Sequence, residues 1–305
     1  MSGMIFRRGL LVLALVVGLA AGVNAQLGPR GFATPDDASY ALADAIRHAD
    51  DGALASLLGP NWRSLLPSRA DDVARQRDAF LANWDAQHSS VVTPDGNKAV
   101  LQAGVNGWTI PLPLVKEGGT WHFDFGAAKK EILARRIGNN ELTVVQALLA
   151  ICDAQRDYAE REALKSGSPQ YARRLMSSPG KKDGLYWETR GGESQSPLGP
   201  LLAKAQPGDG PANGYYGYHF RLLFAQGPDA RGGAEDYLVN GRMIGGFAVI
   251  AWPVKYGETG VMTFIVNYNS DVYEQDLGPD TPQRAAAISI FNPDKGWDKA
   301  DMTPP

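Results

Sequence analysis

The sequence predicts an α+β protein of two domains, and three observations carry that expectation. Helical periodicity fills the stretch after Thr34, with Ala38, Leu42, Ala45 and Ile46 on one face. Period-2 alternation then takes over around Trp121, Phe123 and Phe125. The same order, helix before antiparallel strands, recurs in the second half, where Tyr216, Tyr218, Phe220, Leu222 and Phe224 alternate with His219 and Arg221.

Met1 to Ala25 carries Arg7 and Arg8, then an apolar run from Gly9 to Ala21, then the small residues of Val23-Asn-Ala25. That is the layout of a secretory signal peptide; a retained anchor is the alternative. The apolar run is shorter than the ~20 residues of a spanning helix, so no transmembrane segment is expected after cleavage. The mature chain would begin at Gln26, in the periplasm or outside the cell, with 26–35 as a linker. Cleavage moves the formal charge from −3 to −5. With no basic block in the chain, nucleic acid is not the expected partner. Cys152 is the single cysteine, so no intramolecular disulfide can form and stability must come from packed cores.

The first domain is expected over 36–138. Thr34-Pro35-Asp36-Asp37 joins a capping hydroxyl, a proline at the first helical position and acids in the first turn. A short helix bearing Leu54, Leu57 and Leu58 should stop at Gly59-Pro60, and a third should present Val73, Phe80, Leu81 and Trp84. Pro94-Asp-Gly-Asn97 is a turn. Ala99–Ala103 and Trp108–Val115 read as extended, the second restricted to an edge by Pro111 and Pro113. Glu117-Gly-Gly-Thr120 turns the chain into the strand of Trp121.

This element order, with the hairpin Lys116-Glu-Gly-Gly-Thr-Trp121, resembles the cone-shaped fold of the nuclear-transport-factor-two-like superfamily. Some members use a His and an Asp inside the cone, so the resemblance implies His122 and Asp124 as candidate site residues. A solvent-facing polar side of the strand is the alternative.

Residues 127–140, with Lys129, Lys130, Arg135 and Arg136, read as the polar connection between domains, and the second domain is expected over 139–305. A helix should run from about Glu141 to Lys165, capped by Asn139 or Asn140 and ended by Gly167. Cys152 falls on its apolar face, as a small core hydrophobe.

The second half resembles a bacterial exported family, Domain of Unknown Function 2950. The strings that carry this are Gly184-Leu-Tyr-Trp187, Gly192 to Pro200, Tyr237 to Phe247 and Tyr273 to Gly278; the likeness continues through Arg135 to Glu141 into the first domain, so that it covers nearly the whole mature chain. A second likeness is to the globular part of type IV pilins and type II secretion pseudopilins. It rests on Ala154-Gln-Arg-Asp-Tyr158 in the helix and Tyr216-Gly-Tyr-His-Phe220 at the start of the sheet. It implies a pilin-like sheet; the cleavable signal and the extra domain depart from the pilin plan.

Residues 166–213 form a long Gly-, Ser- and Pro-rich loop, the kind of segment that is functional or mobile. Gly192-Glu-Ser-Gln-Ser-Pro197 lacks the second glycine of a nucleophile elbow. The histidines at 48, 88, 122 and 219 are too scattered for a metal or triad pattern, so no metal and no cofactor is expected. Asp229, with Glu235 and Asp236, lacks calcium-loop spacing. The aromatics near the start of the sheet could line a groove with the loop over 181–200, making Trp187, Glu193, Tyr216 and Tyr218 candidate binding residues; filling the core is the alternative. The expectation is a non-catalytic envelope protein that binds a protein or polymer. The alternative is a periplasmic enzyme or small-ligand binder using the cone or that groove.

Overall fold

The computed structural model describes residues 30–67, 70–189, 191–205 and 214–300. The expected signal peptide lies outside the described residues. The chain divides after Phe125 into two compact units, and among the described residues no helix is long and apolar enough to cross a membrane. The fold is mixed α+β, with a long helix and antiparallel sheets.

The first unit opens with α1 (Pro35–Arg47) and α2 (Asp51–Leu58), a 3-10 turn (Trp62–Leu65) and α3 (Ala70–Ala86). The Thr34 hydroxyl accepts from the Asp37 amide at 3.1 Å, the cap the sequence predicts. Gly59 closes α2 at φ 90°, a conformation that a side chain would resist. Five strands follow: β1 (His88–Val92), β2 (Lys98–Ala103), β3 (Trp108–Thr109), β4 (Leu114–Glu117) and β5 (Thr120–Phe123). Their order is β1-β2-β4-β5, with β3 also on β2, all antiparallel. Leu42, Leu57, Trp62, Trp84, Leu101 and Trp121 share the core between helices and sheet.

The sequence reading missed β1, whose His-Ser-Ser-Val-Val lacks an apolar alternation; its pairing with β2 decides its state. The extended stretch from Trp108 breaks into β3 and β4 around Pro111 and Pro113, as a proline without an amide donor requires. Phe125 is not on the strand with Trp121 and Phe123. It is the first residue of α4 (Phe125–Ser166).

That helix also takes in 127–140, read from sequence as a connection. Ala, Leu, Lys, Arg and Glu, all strong helix formers, make up most of the segment, and Glu131 bridges Arg135 at 2.8 Å one turn on. The helix stops before Gly167, at φ 74°.

The second unit continues through α5 (Pro200–Ala203) to β6 (Tyr218–Leu223), the short pairs β7 (Ala225–Gln226) with β8 (Glu235–Asp236) and β9 (Leu238–Val239) with β10 (Arg242–Met243), then β11 (Ala248–Pro253), β12 (Met262–Asn267), β13 (Val272–Asp276), α6 (Thr281–Ala287) and β14 (Asp298–Lys299). The main sheet runs β14-β13-β12-β11-β6, all antiparallel. Asn240-Gly241 turns β9 into β10 with φ of 50° and 77°, the two-residue hairpin its sequence predicts. Val144, Leu148 and Ile151 of α4 share one core with Phe220, Ala251 and Phe264, which lie on one face of the sheet. Arg221, on the other side of β6, donates to the carbonyls of Ala285 at 2.8 Å and Ile288 at 2.6 Å, capping the end of α6. Tyr216 and Phe224 fall outside β6, because the left-handed backbone at Tyr216 (φ 48°) precedes the strand and the ladder ends at Leu223.

Candidate functional site

In the first unit Gly118 and Gly119, at φ 55° and 85°, make the tight turn between β4 and β5. The register this sets pairs Val115 with His122 and Leu114 with Phe123. Leu114 and Phe123 therefore enter the core, while Val115, Glu117 and His122 share the opposite face. His122 is largely covered, with 17% of its side chain exposed, and its Nε2 lies 3.4 Å from Glu117 Oε2. The Asp124 amide donates to the Pro113 carbonyl at 3.0 Å, which holds that residue beside the strand just before α4 begins.

Facing this hairpin is the end of α2, where Gly59 swings the chain into Pro60 and Asn61. A cleft of about 360 Å³ lies between them, with Leu58, Asn61, Glu117, His122, Asp124 and Phe125 among its lining. His122 and Asp124 both line this cleft, and Glu117 and Asn61 line it with them. Glu117 was legible in principle, two residues from Val115 on a strand whose turn fixes its face; Asn61 comes from a helix end that no local pattern ties to the hairpin. The Glu117 side chain is 73% exposed and sits beyond the ~2.7–2.9 Å of a strong charge-assisted hydrogen bond.

The residues expected around the 181–200 loop are placed differently. Trp187 is 8% exposed and belongs to the core with Leu185, Leu198 and Leu202, so the loop itself fills the space over the sheet. Its indole stands 5.8 Å from the Arg161 guanidinium and 5.5 Å from Lys182 Nζ, and its buried Nε1 has no hydrogen-bond partner among the described residues. Glu193 is exposed, 3.5 Å from Lys182 Nζ. Tyr216 is exposed and its ring meets Tyr215 edge-on at 4.9 Å.

Tyr218 is fully buried; its hydroxyl lies 2.9 Å from the Met262 carbonyl and 3.3 Å from Glu141 Oε1. Burial first, then the Glu141 carboxylate, push its ionisation far up. Glu141 Oε1 also accepts from the amides of Val261 at 2.8 Å and Met262 at 3.0 Å, tying α4 to the start of β12. Gly260 has to be glycine, since a Cβ there would come 2.0 Å from the Tyr218 hydroxyl oxygen. Tyr218 and Trp187 thus sit inside the second unit's core, while Glu193 and Tyr216 lie at its surface.

Cys152 is completely buried, its Sγ 3.7 Å from the Asn267 carbonyl, and burial pushes the thiol up to about 11. Ser196 Oγ donates to the Leu198 carbonyl at 3.0 Å. His219 packs against Trp252 at 5.6 Å, and His88 stacks on Trp84 at 4.0 Å. Among the described residues no group of three or more His, Cys, Asp or Glu stands where it could hold a metal ion.

No curated protein and no solved structure matches the chain. A family model does, over residues 29–300, nearly the whole described chain from α1 to β14. Its description is protein of unknown function (DUF2950), and the chain belongs to that family.

Proposed function

We propose that the protein is an exported, non-catalytic binding protein of the cell envelope, and that the cleft beside β5 receives a protruding group of its protein or polymer partner. One observation carries the reading: Glu117, His122 and Asp124 converge with Asn61 on a hollow of about 360 Å³ floored by aromatic and aliphatic side chains. Thiol and phenol groups with strongly displaced ionisation, Cys152, Tyr158, Tyr218 and Tyr237, are held within the second unit rather than in this cleft. The charged, apolar and small segments of residues 1–25 support export. The order of a long helix followed by an antiparallel sheet supports the finer, pilin-like reading of the second unit.

The test places a photo-crosslinking residue at Asn61 in cells that express the full chain. A discrete adduct is expected, weakened about fivefold or more by His122→Ala, the effect of losing ~1 kcal/mol of hydrogen bonding. An adduct indifferent to His122→Ala, or none at all, removes the cleft from the reading. Chemical conversion of the captured partner removes the non-catalytic part.

A further inference from the structure

The second unit holds a separate cleft of about 330 Å³, between its main sheet and the segment that follows α6. Ile288 and Ile290 give it apolar walls above the fully buried Ile265 of β12, and Trp297 adds an aromatic one. Arg284, Asp294 and Gln275 also line it. That volume lies within the range of small-molecule sites, and the lining divides about evenly between apolar and polar groups, as a ligand with both a charged and an apolar part would need.

Both charges are oriented yet largely unclaimed. Arg284 Nη1 donates to the Leu277 carbonyl at 2.7 Å, which leaves most of the five guanidinium donors free of described partners. Asp294 Oδ1 accepts from the Gly296 amide at 2.8 Å, and neither side chain forms an ion pair with the other or with any other described residue. The Gln275 amide makes no side-chain hydrogen bond among the described residues, and Gly296 passes so close above it that a Cβ there would come 2.6 Å from Nε2.

The walls are fixed independently of any ligand. Arg221 holds the end of α6 through the Ala285 and Ile288 carbonyls. Asn292 exchanges two hydrogen bonds with Asp229, at 2.9 and 2.8 Å, and so anchors the segment that carries Asp294 and Trp297. A site already held in its bound geometry loses little entropy on binding.

We propose that this cleft binds a small zwitterion with an apolar side chain, an α-amino acid or a short peptide made of such residues. The carboxylate meets Arg284, the ammonium meets Asp294, Gln275 supplies a further polar contact, and the side chain lies between Ile288, Ile290 and Trp297. Neither the first unit's cleft nor its partner enters this assignment.

Isothermal titration of the purified protein at low salt tests it with leucine, phenylalanine, acetyl-leucine, leucinamide and leucyl-leucine. Leucine and phenylalanine are expected to bind, and capping either charge should weaken binding about tenfold or more, the loss expected for one charge-assisted hydrogen bond. Arg284→Gln should lower leucine affinity and spare leucinamide; Asp294→Asn, which keeps the side-chain shape, should lower leucine affinity and spare acetyl-leucine. Tighter binding of leucyl-leucine than of leucine assigns the same recognition to peptides. No heat from any compound up to about 10 mM, beyond even millimolar affinity, overturns the proposal. So does leucine binding that both variants leave unchanged.

Discussion

The sheet of the first unit buries one face, and the main sheet of the second buries two. Along β2 buried positions alternate with open ones, Ala99, Leu101 and Ala103 inward, whereas all six residues of β11 and five of the six in β12 are buried. One face of β11 and β12 lies in the core shared with α4, and α6 packs over the other. The difference decides where polar groups are left for other molecules. Inside the second unit many are taken up by the protein itself: Gln155 makes two hydrogen bonds with the Ala172 backbone, and Glu141 accepts from the amides of Val261 and Met262 where β12 begins, while the buried Trp187 Nε1 is an exception. The two clefts occur where coverage stops, at the open face of a hairpin and at the edge of α6.

Substitutions at matched strand positions break the comparison most directly. Phe220→Ala, in the doubly covered sheet, should cost about 3–5 kcal/mol, and Val91→Ala, on the exposed β1, within about 1 kcal/mol. Urea unfolding of the two variants measures both, and equal losses would show that β1 is buried after all.

Acid supplies a smaller effect of definite sign. Burial lowers the His219 pKa below its ordinary 6.5, opposed by a hydrogen bond to the Ala205 backbone. The unfolded chain therefore takes up this proton first as pH falls. The associated stability is intact above about pH 6.5 and is lost as pH drops through the lower folded value. His219→Gln should flatten the decline in melting temperature between pH 7 and 5; an unchanged slope would assign the decline to other groups.

The smallest expected signal is at Cys152. With its thiol pushed up to about 11 and no exposed surface, it should resist iodoacetamide at pH 8 in the folded protein and react in urea. Rapid labelling of the native chain would mean that α4 opens from the sheet.

What could be read in advance follows the same division. The cap at Thr34, the stop at Gly59, the Asn240-Gly241 hairpin and the inward alternation of Tyr218, Phe220 and Leu222 are local signals, and each appears in the structure. The helical state of 127–140 was masked by its charges, which suggest a solvated connection although most of its residues favour a helix. His122 and Asp124 were legible as neighbours on a strand, but the wall of Leu58 to Asn61 is distant in sequence and joins them only through the fold. The Arg284 and Asp294 cleft left no sequence signal, since its groups come from β12, β13, α6 and the tail.

Complete burial of β11 also affects the chain before it has folded. Phe247-Ala-Val-Ile-Ala-Trp252 is an uncharged apolar run, four of its six residues strong strand formers, without an internal proline, the composition from which intermolecular cross-β stacks nucleate. β12 reaches one edge through a short connection, but β6, the partner on the other edge, lies more than twenty residues upstream, so that edge waits on a longer loop closure. Gly245-Gly246 on one side and Pro253 with Lys255 on the other act as gatekeepers that limit how far such a stack can extend. Replacing Pro253 and Lys255 together should leave the native sheet formed but lower the yield of soluble refolded protein as its concentration is raised.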